Sequence, residues 1–176
     1  MTWGIVIAGL AVLLGLYLSW TAGRIDRLHA RVEAARAVLD AQLLRRSGAA
    51  LDVATGGLLD PASAVLVADA ASRARTLETE EREQAESDLT AALSAALSDA
   101  EFVTRLRSEA GAGAALDELA AACRRVGHAR RFHNDTVRSA RRLRGKILVR
   151  WLRLAGHAPW PEPVEFDDSV PPALGQ

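Results

Sequence analysis

Several polar residues occupy positions where helix packing would call for apolar side chains. From Ile25 the apolar positions run Ile25, Leu28, Val32, Ala35 and Leu39, and the same spacing of three and four then reaches Gln42 and Arg46. A second seam reads Leu116, Leu119, Cys123, Val126, Arg130, His133, Val137 and Ala140. Asp40, Asn134 and Asp135 lie beside these seams. Acids, amides and guanidinium groups at matching heights on two helices can satisfy one another. The expected result is a buried polar layer of Asp40, Gln42, Arg46, Arg130 and Asn134, with Asp135 at its margin. Such a layer can fix register, because a slipped pairing would leave its charges unpaired. It can also be a ligand or signalling site. The register reading is the simpler one.

The remaining reactive side chains do not converge. His128 and His133 are five apart and do not share a helix face as an i, i+4 metal pair would. Cys123 is the single cysteine and sits on a core seam, which suits a small buried hydrophobe. The sequence carries no Gly-rich phosphate loop, paired catalytic carboxylates or nucleophile constellation. It therefore points to no catalytic, cofactor-binding or metal residues, and to a non-enzymatic protein.

Charge is distributed unevenly. Net charge is zero, from 22 Lys and Arg against 22 Asp and Glu. Yet Arg124, Arg125, Arg130, Arg131, Arg138, Arg141, Arg142, Arg144, Lys146, Arg150 and Arg153 meet only Asp135 as an acid between them. This basic surface would attract anionic lipid or an acidic protein. Nucleic acid is excluded as the expected partner, because aromatic residues that stack bases are lacking there. Internal neutralisation is the competing and preferred reading. The acidic stretch Glu78 to Asp88 and the acids Glu162, Glu165, Asp167 and Asp168 are available for it, and the C-terminal acids could act as a movable latch over the basic arm.

These residues must be positioned by helices. Trp3 to Trp20 is an uncharged, proline-free run, about 27 Å long at ~1.5 Å per residue. That nearly matches a hydrocarbon core of ~30 Å, and Trp3, Tyr17 and Trp20 stand near its ends. No Lys or Arg precedes it, as a cleaved signal peptide would prefer, so a retained single-pass anchor is expected. Arg24, Arg27 and Arg31 follow it, which predicts a cytoplasmic C-terminal domain in a cell membrane. Beyond the anchor, Ala and Leu dominate and strand-forming clusters are nearly absent, the composition of long helices. Arg replaces Lys almost everywhere, which with the alanine content suggests a GC-rich bacterial source.

The predicted fold is all-α. A transmembrane anchor (1–23) leads into an antiparallel helical bundle (24–156) with coiled-coil-like packing, about 50 Å long. A Pro-rich acidic extended tail (157–176) follows, whose prolines forbid regular helix. The first arm weakens at Gly56-Gly57, and Asp60-Pro61 reads as the N-cap and first turn of the next. The second arm, Pro61 to about Leu97, has apolar stripes at Val65, Leu66, Ala70, Ala74 and Leu77 and again at Leu89, Leu93, Ala96 and Leu97. Between them ETEEREQAESD suggests a kink near Thr79. The alternative is a true reversal there, giving four shorter helices, but no Gly, Pro or Asn marks one. Ser98 to Gly113 reads as a connector with a short helical turn, and the third arm runs from near Ala114 to at least Leu143. Three arms, the preferred count, would carry the segment KILVRWLRLAG away from the membrane, so distal packing against the bundle top is expected. Four would return it to the surface, with Trp151 at the interface.

Two stretches resemble the LemA family of bacterial membrane proteins. In RVEAARAVLDAQLLRR the matching positions are Val32, Glu33, Ala34, Ala35, Leu39, Asp40, Gln42, Leu43, Arg45 and Arg46. In ARRFHNDTVR they are Arg130, Arg131, Asn134, Asp135, Val137 and Arg138. Arg36 stands where the family usually has Trp, Ser47-Gly48 replaces its Asp-Leu-Ile-Pro, His133 replaces Tyr, and Arg141 takes the place of a second Asn. The resemblance implies a divergent member with a single-pass anchor and a cytoplasmic helical bundle, and no particular reaction. The expected role is an interaction or scaffold protein at the inner membrane face, with the bilayer and a protein partner as its contacts. The alternative is an adaptor that senses anionic lipid through the basic third arm.

Overall fold

The computed structural model describes residues 2–77, 79–146, 149 and 159–175, and is all-helical over them apart from turns and the extended tail. Five helices follow in order: α1 (Thr2–Thr55), α2 (Pro61–Thr76), α3 (Thr79–Ala96), α4 (Ala100–Arg107) and α5 (Ala112–Arg144), with a 3-10 turn at Pro172–Leu174. The chain divides into two compact units. One comprises residues 1–36 and 133–163, the other 37–132 and 164–176.

Local chemistry sets the boundaries. Helix α1 stops at Thr55, and Gly57 takes the left-handed backbone (φ 73°) that ends a helix most cheaply. Asp60 caps α2 by accepting from the backbone N–H groups of Ala62 and Ser63, both at 3.1 Å, with Pro61 at the first helical position. The Ser63 side chain, and after it these backbone bonds, hold the Asp60 carboxyl below its ordinary range. Asp99 caps α4 in the same way through Glu101 and Phe102. Gly111 (φ 85°) makes the turn into α5.

The second arm is not continuous. Helix α2 ends at Leu77, whose backbone is extended (φ −78°, ψ 145°), and α3 then packs back along α2. Arg73 bridges to Asp88 at 3.3 Å, and one groove is lined by Ser63 and Asp69 from α2 and by Asp88 and Ala96 from α3. A kinked helix could not bring these pairs together. The reversal occurs where the kink was expected, without Gly, Pro or Asn, because Leu77 needs only extended backbone to end a helix. The apolar face of α2 also shifts: Val67, Ala70, Ala71 and Ala74 are buried, while Val65 and Leu66 are exposed. The small residues on that face allow α2 and α3 to approach closely.

In the larger unit the core joins Val53 of α1, Val67 of α2, Leu89, Leu93 and Leu97 of α3, Val103 and Leu106 of α4, and Leu116 and Leu119 of α5. Leu174 of the tail closes it. Cys123 lies in this core, and burial pushes its thiol upward. Within the smaller unit Ile25 packs with Leu143 and Val149, and Leu28 borders them. The end of α5 therefore lies beside the segment of α1 that follows Trp20. The expected distal position of this end is corrected, because the extra reversal after α2 changes the direction in which α5 runs. Most of KILVRWLRLAG, including Trp151, lies outside the described residues, as do Arg150, Arg153 and Glu78.

Truncation of Leu119, which is fully buried, removes core contacts that Ala cannot replace. Leu119→Ala should cost ~2–5 kcal/mol, the range for large-to-small core changes. Urea unfolding of the full chain in neutral detergent would measure it. Alkylation of Cys123 by iodoacetamide should quicken in step, since the thiol reacts only when the core opens.

Candidate functional site

Arg46 is the organising side chain of the larger unit. It is 1% exposed and enters the core from α1. Its Nη2 donates to Glu86 Oε2 at 2.5 Å and to the Glu86 carbonyl at 2.9 Å, and its Nη1 donates to Thr90 Oγ1 at 2.9 Å. Glu86 and Thr90 are four apart on α3, so one helix face supplies every acceptor. Glu86 is also 1% exposed. Burial raises its carboxyl above the ordinary range, and Arg46 and then Arg82 pull the other way without cancelling the rise. Arg82 further bonds Asp40 at 3.2 Å, a half-buried pair at the margin of the core pair.

The tail locks onto the same face. Thr90, having accepted from Arg46, donates its one hydroxyl proton best to the Asp167 carbonyl, 2.6 Å away. The Asp167 N–H reaches Ser87 Oγ at 3.1 Å, and the Glu165 N–H reaches Glu83 Oε2 at 3.2 Å. Glu83, Ser87 and Thr90 form one stripe of α3. Residues 165 and 167 thus turn their backbone to α3, as alternation in an extended chain allows. The residues between them turn elsewhere. Val164 packs with Leu39, Leu43, Val126 and Ala129. Phe166 lies under both guanidinium groups, 5.9 Å from Arg46 and 5.7 Å from Arg130. Asp168 takes Arg130 bidentately, at 3.1 and 2.9 Å. Gly127 makes room for this pair: a Cβ there would stand 3.0 Å from Asp168 Oδ2.

The polar residues expected in one layer are distributed differently. Arg46 is buried as anticipated, but its partners are Glu86 and Thr90 of α3. Asp40 turns to Arg82 and Arg130 to Asp168. Gln42 is half-buried. Asn134 is buried and Asp135 is exposed against Arg138, and both belong to the smaller unit. Glu86 was missed because it lies in the acidic stretch read as a kink and as charge available to neutralise the basic arm. Its signal is the spacing Ala85, Glu86, Leu89, Thr90 and Leu93, which places it on the buried stripe of α3.

Among the described residues the basic surface is only partly neutralised. Arg125 pairs with Glu118 and Arg138 with Asp135, while Arg131 contacts His128. Arg124, Arg142 and Lys146 are exposed. Among the described residues Glu86 and Asp88 of α3 pair with Arg46, Arg73 and Arg82, and no α3 acid pairs with α5. Of the tail acids, Asp168 does reach α5.

One helix among the described residues is long and apolar enough to cross a membrane. It is the N-terminal part of α1, with a window of mean hydropathy 2.1 that is 6% buried. Among the described residues no group of three or more His, Cys, Asp or Glu could hold a metal ion. No family model, curated protein or solved structure matches the chain. The resemblance to LemA therefore rests on its two short stretches.

Arg46→Met leaves Glu86 buried with only the more distant Arg82, 3.9 Å away, and should cost ~3–5 kcal/mol at pH 7. The loss should be smaller at pH 5. A carboxyl whose folded value is raised contributes fully below its unfolded value of ~4.3, and that contribution fades as pH rises through the folded value. Removing Arg46 raises the folded value further and widens this window upward. Arg46→Met with Glu86→Met removes both charges and should return stability to wild type or above. Urea titrations at the two pH values would check all three.

Proposed function

We propose that the protein is a membrane-anchored, non-enzymatic helical module that presents a fixed surface to a protein partner at the cytoplasmic face of a cell membrane. The observation that carries this reading is the apolar run Trp3 to Trp20. Its large side chains stay exposed, with Trp3 at 80% and Trp20 at 60%, which in water would be a severe cost and in lipid none. Helix α1 continues from this run without a break to Thr55. The orientation follows from Arg24, Arg27 and Arg31 directly after the run.

Charge partition supports the same reading. Residues 1–36 and 133–163 hold eleven Arg and Lys against four Asp and Glu. Residues 37–132 and 164–176 hold eleven against eighteen. The unit that contains the apolar run is thus basic and suits an anionic membrane face. The other is acidic and suits solvent and a partner of opposite charge. The tail is the natural control element, since Val164 to Leu174 covers α3 and Arg130.

Alkaline carbonate extraction should leave the full chain in the membrane fraction, and deletion of residues 1–20 should move it to the soluble fraction. A green fluorescent protein fused after Gln176 should fluoresce, whereas a periplasmic phosphatase at the same position should stay inactive. The opposite pattern reverses the topology. For the tail, photo-crosslinkers at Arg124 and Arg131 should capture more protein partner when Phe166→Ala and Asp168→Asn weaken its docking.

A further inference from the structure

A cavity of about 250 Å³ opens in the smaller unit between α1 and the end of α5. Arg24, Arg142 and Lys146 line it together with Ser139, and Leu28 and Leu143 form its apolar side. Three cations around one small opening repel one another unless an anion joins them. Other arginines of this chain have found carboxylates, as Arg138 has Asp135 and Arg130 has Asp168. Among the described residues no carboxylate pairs with Arg24, Arg142 or Lys146. The Ser139 hydroxyl donates to the Asp135 carbonyl at 3.0 Å, so recognition would fall to the cations.

Position narrows the anion. Arg24 lies one helical turn, about 6 Å, beyond Trp20. Its guanidinium stands 5.8 Å from the Trp20 ring. Tryptophan at the end of an apolar run marks the headgroup level. A cation one turn further on meets the phosphates rather than bulk water. The apolar side made by Leu28 and Leu143 suits the glycerol and upper acyl carbons of a lipid, and a free anion would gain nothing from it. The carbonyl end of α5 opposes an anion with about half a charge. Three full positive charges outweigh it.

We propose that Arg24, Arg142 and Lys146 form a recognition site for the phosphate of an anionic phospholipid headgroup in the bilayer that α1 crosses. The site rests on the anchored reading of α1. It deepens that reading by making the end of α5 a second, lipid-dependent point of attachment. Loss of the lipid would free this end, while the ion pair of Arg46 and Glu86 would be untouched.

Native mass spectrometry of the full chain in neutral detergent tests it. With equal amounts of phosphatidylglycerol and phosphatidylcholine present, the chain should retain one phosphatidylglycerol at least roughly tenfold over phosphatidylcholine, as three nearby cations allow. Arg24→Gln, Arg142→Gln and Lys146→Gln combined should abolish that preference. Arg27→Gln, Arg31→Gln and Arg138→Gln remove as much charge from the same unit outside the cavity, and should preserve it. All six are exposed, so folding should survive, and helical circular dichroism would verify this. Equal retention of the two lipids overturns the site, as does equal loss in both triple variants, which would mean diffuse attraction only. Inorganic phosphate that displaces the lipid at millimolar concentration overturns the lipid source. Carbonate extraction of the membranes from which the same proteins are purified separates the two readings. A chain that stays in the membrane without lipid preference loses the site and keeps the anchor, and a chain that leaves the membrane loses both.

Discussion

The larger unit depends on the burial of one ion pair. Taking Arg46 and Glu86 out of water costs several kcal/mol for each ion, and attraction repays this only when geometry is good. Here the repayment is incomplete. Arg46 Nε and Glu86 Oε1 make no hydrogen bond among the described residues. The pair is thus a poor source of net stability and a strong source of specificity. Sliding α1 against α3 by one turn would bury two unmatched charges among Leu and Ala. Thr90 extends that constraint to the tail, because its hydroxyl accepts from Arg46 and donates to Asp167. One side chain therefore fixes α1, α3 and the tail in a single register.

The tail compensates for a core of small residues. Ala49, Ala50, Ala54, Ala70, Ala71, Ala74, Ala120 and Ala122 are all buried there. Alanine lets helices approach closely, but each contributes little apolar area. Val164, Phe166 and Leu174 supply area that no helix provides. The spacing of two between Val164 and Phe166 is what an extended chain needs to alternate between apolar packing and backbone hydrogen bonds. A further helix would have offered a wider face but could not have bonded Ser87 and Thr90 through its backbone. The prolines at 159, 161, 163, 171 and 172 keep this segment extended and reduce the entropy lost when it docks.

Helix periodicity made much of this legible. Every apolar member of the α5 seam from Leu116 to Ala140 is buried, and so are Ile25, Ala35 and Leu39 of α1. The Asp60 cap and the short helix before Gly111 were readable from local chemistry alone. The reversal at Leu77 was harder, because helices may end on extended backbone at any residue and the sequence carries no mark of it. That point decided more than one turn, since it sets which end of α5 meets Ile25. The partners of Arg46 were hidden for a related reason. Glu86 sits among exposed acids, and only the register of α3, itself dependent on the reversal, turns it inward. The docking of the tail has no periodic helical signal, so its proline content predicted an extended chain and not where that chain would bind.

Neutrality of the whole chain conceals an opposition with physical consequences. Eleven cations against four acids in one unit, and eleven against eighteen in the other, give the units net charges of opposite sign, and the Debye length is only ~8 Å. At physiological salt each surface therefore acts almost independently, and averaging them to zero predicts neither. Among the described residues the acids of α3 are not spent on α5. Pairing Glu86 and Asp88 with Arg46, Arg73 and Arg82 settles charge within the larger unit. It leaves Arg24, Arg142 and Lys146 around one opening of the smaller unit, with no carboxylate partner among the described residues.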